Sequence, residues 1–342
     1  MPHVRSVFQP IIEHAAVRLA ADGLAQGRSA VTLSGLTPPA KALVVAHLAL
    51  QLGRPLLVLA ADNEAADRLR KATSTFLDWL DPAGTARSAP VSRSAVCVLP
   101  AFDSSPYEGR SPHAEILERR AVTLWNVARG HVRVLIAPLP AALGRFRDIS
   151  YYRSLALEIA PGDELSLSDL TEHLGGVGYE SGEPVSNPGQ YSLRGGIIDV
   201  FPPEAEWPFR IEFFGDQVES VREFDPESQR SRQPAPSALL LPFAETIRSP
   251  HLFRALVDAL RARDSQKSAG AEPSWAPEYS SPFPGWEFFA PLAESRPHSL
   301  PSLFADPILV WDEPLDRERQ LQHTLDGLAE AFDGVRDMTP PR

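Results

Sequence analysis

A single cysteine, Cys97, stands in 342 residues, which excludes an internal disulfide framework and any zinc site built on cysteine. No run of about 18 apolar residues is present, so no membrane-spanning helix is expected. The opening stretch, MPHVRSVFQPIIEHAAVRLA, lacks the basic segment leading into an apolar one that marks a secretory signal. Together these absences predict a cytoplasmic protein. Positive charge is short as well: 33 Lys and Arg against 44 Asp and Glu leave a net charge of −11. Proteins that grip nucleic acid through its phosphates usually carry basic surface, so this balance argues against DNA as the main partner of these residues. The nine histidines are scattered with no H-x-x-x-H spacing, and no metal site is expected.

Apolar residues and proline are plentiful. A hydrophobic fraction of 43% with 23% charged residues suits a chain that buries a core, and its length allows two or three domains. The 34 prolines crowd the second half, which predicts many loops and a late region poor in long helices.

The first third alternates strand and helix signals. Ala30–Leu33, Leu56–Ala60, Val96–Leu99 and Val132–Ile136 are short continuous apolar runs, each read as a strand. Helices are predicted between them: Ala40–Leu52, stopped by Gly53; one capped by Asp62 or Asn63, burying Leu69, Thr73, Phe76, Leu77 and Leu80; and one from Ser111-Pro112 to about Arg129, with Leu117, Ala121, Leu124 and Trp125 inward. Apolar strands separated by helices imply a parallel sheet covered on both faces.

The turn before the first of these helices reads Gly35-Leu36-Thr37-Pro38-Pro39-Ala40-Lys41-Ala42. A phosphate-binding loop, G-x-x-x-x-G-K-[ST], needs a second glycine so the backbone can wrap the phosphates, a lysine to reach them, and a hydroxyl for magnesium. Gly35 and Lys41 are in place, but Ala40 and Ala42 replace the second glycine and the hydroxyl, and two prolines remove backbone donors. A degenerate loop that no longer binds nucleotide is expected. Asp312-Glu313, after the apolar run Ile308–Trp311, has the look of a magnesium-binding acid pair but reads as a strand end.

The middle third changes character. A helix from about Leu165 to Gly176 is followed by strands, with Phe209–Phe214 and Gln217–Phe224 joined at Gly215-Asp216 as a hairpin. This is a small α+β module set into the parallel domain. The stretch SNPGQYSLRGGIIDVFPPEAEWPFRIEFFGDQVESVREFDPESQRS resembles the small second domain shared by two bacterial repair families, the excision-repair subunit UvrB and the transcription-repair coupling factor (Mfd). Similarity extends outward through Leu99–His113 and Phe283–Asp312, over nearly the whole chain. The broken loop, and the lack of room between Tyr107 and Glu118 for the aromatic hairpin of UvrB, favour the N-terminal UvrB-like module of the coupling factor.

The resemblance implies a degenerate P-loop (RecA-like) parallel-sheet domain over 1–150, a small UvrA-binding domain over 151–243, and a return segment and linker over 244–342. It implies UvrA as partner and no catalysis in these residues. ATP, magnesium, RNA polymerase and DNA are expected to be handled by downstream domains of a longer ATP-dependent DNA translocase. The alternative is an ATP-dependent DNA-processing subunit of the UvrB type. The family places an interface arginine in the RGG motif, which makes Arg194 the first candidate for UvrA contact; the other reading of Arg194 is an ion pair inside the domain with Asp199, Glu212 or Glu219. Arg210 and Arg222 could extend a basic patch, and Tyr191 and Phe201 could serve as aromatic anchors, although Phe201 before Pro202 suits a core equally. Family members often carry arginine after the Gly178-Tyr179 pair, where this chain has Glu180 and Ser181.

Overall fold

The computed structural model describes residues 2–81, 95–106, 108–265 and 282–336. In chain order the first three strands are β1, Leu56–Ala60; β2, Val96–Val98; and β3, Val134–Pro138. The middle supplies β4, Leu157–Ile159; β5, Glu180–Ser181; β6, Gln190–Arg194; β7, Ile197–Val200; and β8, Phe209–Phe214. It continues with β9, Gln217–Phe224; β10, Ser231–Pro234; and β11, Ala238–Leu240. Last comes β12, Ile308–Trp311.

Two compact units result. The first comprises Met1–Ala101, Asn126–Phe146 and His298–Asp326, and the second Phe102–Trp125, Arg147–Pro297 and Gly327–Arg342. The first holds a parallel sheet in the order β12-β1-β3-β2. β1 and β3 are buried along their whole length, as continuous apolar runs in a covered parallel sheet must be. Two helices, packed on each other, cover one of its faces. Pro38–Leu52 ends at Gly53 in the left-handed region, and Asn63–Leu80 starts at Asp62, whose carboxylate accepts the Ala65 N–H at 2.7 Å. As the spacing predicts, the second buries Thr73, Leu77 and Leu80.

Three expectations need correction. Ala30–Leu33 is not a strand: both ladder sides of β1 are taken by β12 and β3, and Leu33 contributes only packing against the core. The late region is not poor in long helices, since Pro250–Ser265 has 16 residues and Pro314–Arg336 has 23. Proline opens both helices, where its missing N–H costs nothing, and none follows within them. The cap of helix Ala114–Ala128 is His113, whose carbonyl accepts the Ile116 and Leu117 N–H groups, not Ser111. Tyr107 and most of the Ser/Pro-rich 263–284 stretch lie outside the described residues. Two short helices, Pro2–Ile12 and Ala15–Ala25, have no counterpart in the sequence reading.

The second unit contains a six-stranded sheet in the order β10-β9-β8-β7-β6-β5, antiparallel except for the parallel pair β5–β6. The chain runs into and out of this region through β4 and β11, which pair with each other. The β5 edge is two residues long and exposed; the β10 edge is exposed throughout, ends at Pro234, and is irregular against β9 between Arg222 and Phe224. Among the described residues no helix is long and apolar enough to cross a membrane.

Candidate partner-binding site

In the first unit, Pro38 and Pro39 offer no N–H at the start of the helix, and the Lys41 N–H already donates to the Thr37 carbonyl at 2.9 Å. Ala42 is fully buried, so its methyl belongs to the core. The Lys41 ammonium donates to Asp312 Oδ1 and to Glu313 Oε1, both at 2.6 Å. Burial alone would lower the pKa of Lys41, but its hydrogen bonds to the two carboxylates, helped by their charge, outweigh that and raise it. The same hydrogen bond holds the Glu313 carboxyl below the ordinary range. Glu313 has φ 51° and its carbonyl caps the final helix by accepting the Asp316 and Arg317 N–H groups. A magnesium nucleotide does not fit this set: the wrapping glycine and the hydroxyl are missing and the lysine is engaged.

In the second unit, antiparallel register sets which side chains share a face. Ser192, Asp199, Arg210 and Arg222 stand side by side across β6, β7, β8 and β9, and Arg194, Ile197 and Glu212 form the next row on that face. Asp199 is only 1% exposed, and its charge is compensated by two arginines. Arg210 donates to both carboxylate oxygens, Nε to Oδ1 at 2.7 Å and Nη2 to Oδ2 at 2.8 Å, and this pairing raises its pKa. Arg194 Nη2 donates to Oδ2 at 2.6 Å, and its Nη1 lies 3.5 Å from Glu183. The Arg194 side chain is nevertheless 47% exposed, against 16% for Arg210. The hairpin presenting Arg194 turns through Gly195, with φ 61°, and Gly196, where a Cβ would stand 2.9 Å from the Phe213 carbonyl oxygen. Glycine is required there by both conformation and space.

The five residues singled out from sequence therefore separate. Arg194, Arg210 and Arg222 share a face, with Arg194 and Arg222 exposed and Arg210 largely engaged. Tyr191 belongs to the opposite face, half-buried opposite Val200. Phe201 is buried with Val185 and Phe224. Glu180 and Ser181 form the short edge strand beside Gln190 and Tyr191. One residue on the Arg194 face escaped the sequence reading. Phe214 follows Glu212 by two positions on β8 and is 80% exposed. Its signal was the doubled Phe213-Phe214 at a strand end, where alternation must turn one ring outward.

A second pair of arginines around one acid lies elsewhere in this unit. Arg120 donates to Glu245 at 2.8 and 3.3 Å and sits 4.2 Å over the Phe102 ring, and Arg296 lies 3.7 Å from the same carboxylate. All three side chains are 10% exposed or less. Among the described residues there is no group of three or more His, Cys, Asp or Glu able to hold a metal ion.

Comparison with known proteins matches residues 157–245 to the family described as the UvrB interaction domain. The transcription-repair-coupling factor of Escherichia coli K12 is 30% identical over 325 residues, 91% of this chain and 26% of the relative. That of Myxococcus xanthus is 34% identical over 218 residues, 64% of this chain and 18% of the relative, and that of Bacillus subtilis 27% over 229 residues, 67% and 18%. The chain thus spans about a quarter of the first relative's length and less of the other two. The matched segment runs from the first residue of β4 past β11, so the strand pair that closes the six-stranded region also delimits the recognised domain. With that domain inside it and similarity running through nine-tenths of its length, the chain belongs with the N-terminal UvrB-like modules of transcription-repair coupling factors.

Proposed function

We propose that this chain is a non-catalytic interaction module that recruits UvrA during nucleotide excision repair at stalled RNA polymerase, within a longer ATP-dependent DNA translocase. The observation that carries the reading is Arg194. It is half-exposed, lies in the matched UvrB interaction domain, and is held in place by a buried acid that a second arginine already neutralises. A guanidinium presented in this way offers a planar fork to a carboxylate on a partner. In this reading residues 151–243 are the UvrA-binding domain, 1–150 the degenerate P-loop domain, and 244–342 the return segment. ATP, magnesium, DNA and the polymerase are then the business of the remaining domains.

The engaged Lys41 and the buried Ala42 methyl weigh against the alternative of a UvrB-type ATP-dependent subunit. The test is calorimetric titration of the chain with UvrA from the same organism, alongside ATP with magnesium. UvrA binding without nucleotide binding supports the reading. Nucleotide binding without UvrA binding overturns it.

A further inference from the structure

We infer that Phe214 is the aromatic anchor of the Arg194 face, inserting into an apolar recess of UvrA that lies beside an acidic group met by Arg194. The inference rests on the UvrA reading above and names the residue that supplies its apolar contact.

Phe214 is the most exposed of the large apolar side chains in the described residues, at 80%. Burying a phenylalanine is favourable in proportion to its apolar area, so a ring left this open adds nothing to the core and is available to a partner. Its neighbour Phe213 takes the inward position, 8% exposed and paired with Val218, so the fold uses one ring of the doublet and leaves the other. β8 fixes the outward direction. Arg210, Glu212 and Phe214 alternate onto one face, while Ile211 and Phe213 fill the core. Ile197 and Arg194 lie in the same row as Glu212, one and two strands away respectively. With strands about 4.8 Å apart and about 3.4 Å per residue, Arg194 and Phe214 backbones stand roughly 12 Å apart. That separation fits one interface centre.

The surroundings add selectivity. Glu212 accepts the Ser220 hydroxyl at 2.7 Å and makes no ion pair with Arg194, whose carboxylate neighbours are Asp199 and Glu183. The pattern left to a partner is an aromatic ring beside an exposed guanidinium, the residue types that dominate interface energetics. A partner with an apolar recess and an adjacent carboxylate complements it.

The test uses the full chain, UvrA as titrant, and a melting curve for every variant. Phe214→Ala is expected to weaken binding about tenfold or more with an unchanged melting midpoint. Phe214→Leu is expected to recover most of that loss. The salt dependence of binding should stay as in the wild type for Phe214→Ala but become shallower for Arg194→Ala, because only the latter removes a charge. Affinity of Phe214→Ala within twofold of wild type, while Arg194→Ala binds poorly, overturns the anchor and leaves the UvrA reading standing. A fall in melting midpoint that accounts for the lost binding also overturns it. A wild-type chain that does not bind UvrA overturns both.

Discussion

The two units hold cations in opposite stoichiometry. Lys41 in the first faces two carboxylates, Asp312 and Glu313, and nothing positive is left over. Asp199 in the second faces two arginines, and the more exposed of them, Arg194, has only the exposed Glu183 as a further partner. A nucleotide loop must do the reverse of what this one does, keeping positive charge and backbone donors uncommitted until phosphate arrives. The contrast teaches that a basic residue in a motif is informative only together with the acids that share it. The Arg120–Glu245–Arg296 cluster refines the point: it too sets two arginines around one acid, but with every member buried it has nothing to present.

The strongest way to break the comparison is to delete the shared acid. Asp199→Ala leaves the largely buried Arg210 guanidinium without its carboxylate and beside Arg194, and should cost about 3 kcal/mol of stability, read by urea unfolding. A stability unchanged from wild type would mean that Asp199 does not organise the pair. Next comes Arg194→Ala. Asp199 keeps its two bonds from Arg210, so the fold should lose about 1 kcal/mol or less. UvrA affinity should fall about thirtyfold, corresponding to about 2 kcal/mol. A drop in melting midpoint with unchanged affinity would assign Arg194 to the fold alone.

A smaller effect sharpens the first unit's side. Glu313 has its carboxyl pKa lowered by Lys41, so its contribution to stability is present above the ordinary carboxylate range and is lost as pH falls through the lowered value. Lys41 has its pKa raised, so its contribution is present below the ordinary lysine range and is lost as pH rises through the raised value. Glu313→Gln should therefore melt slightly below wild type at neutral pH, with the difference vanishing in acid; a constant difference across that range would contradict the pairing. Smallest of all, adding magnesium and ATP should leave the wild-type melting midpoint where it is. Stabilisation at micromolar nucleotide would show that the acids release Lys41.

Much of this was readable from the residues. β1, β3 and β12 are continuous apolar runs, and a covered parallel sheet leaves few other uses for such runs. The hairpin at Gly215-Asp216 was fixed by turn chemistry. Ala30–Leu33 misled because an apolar run declares burial, not pairing, and the ladder places beside β1 were filled by segments distant in sequence. Arg194 was singled out through its motif as the first candidate contact, and Asp199, with which it pairs, stood among its possible partners. That Arg210 would take both oxygens of Asp199, with Arg194 sharing one of them and staying half-exposed, depended on the register between β7 and β8, which composition does not encode. Phe201 and Phe214 illustrate the same limit: alternation tells that neighbours point apart, and only the loop carrying Val185 decides which end of the face is covered.

The edges of the six-stranded sheet carry a last consequence. Backbone-mediated recognition, in which a visiting chain adds itself as one more strand, needs a long flat border with open N–H and C=O groups. Here one border is two residues long, and the other ends in a proline, bears an irregularity, and has Arg232 stacked 3.6 Å over Trp207. Strand addition is disfavoured on both sides, and so is the sheet-to-sheet polymerisation that follows from it. A visitor to this module would meet side chains, and under the proposed function its discrimination falls to the outward residues of β6 to β9.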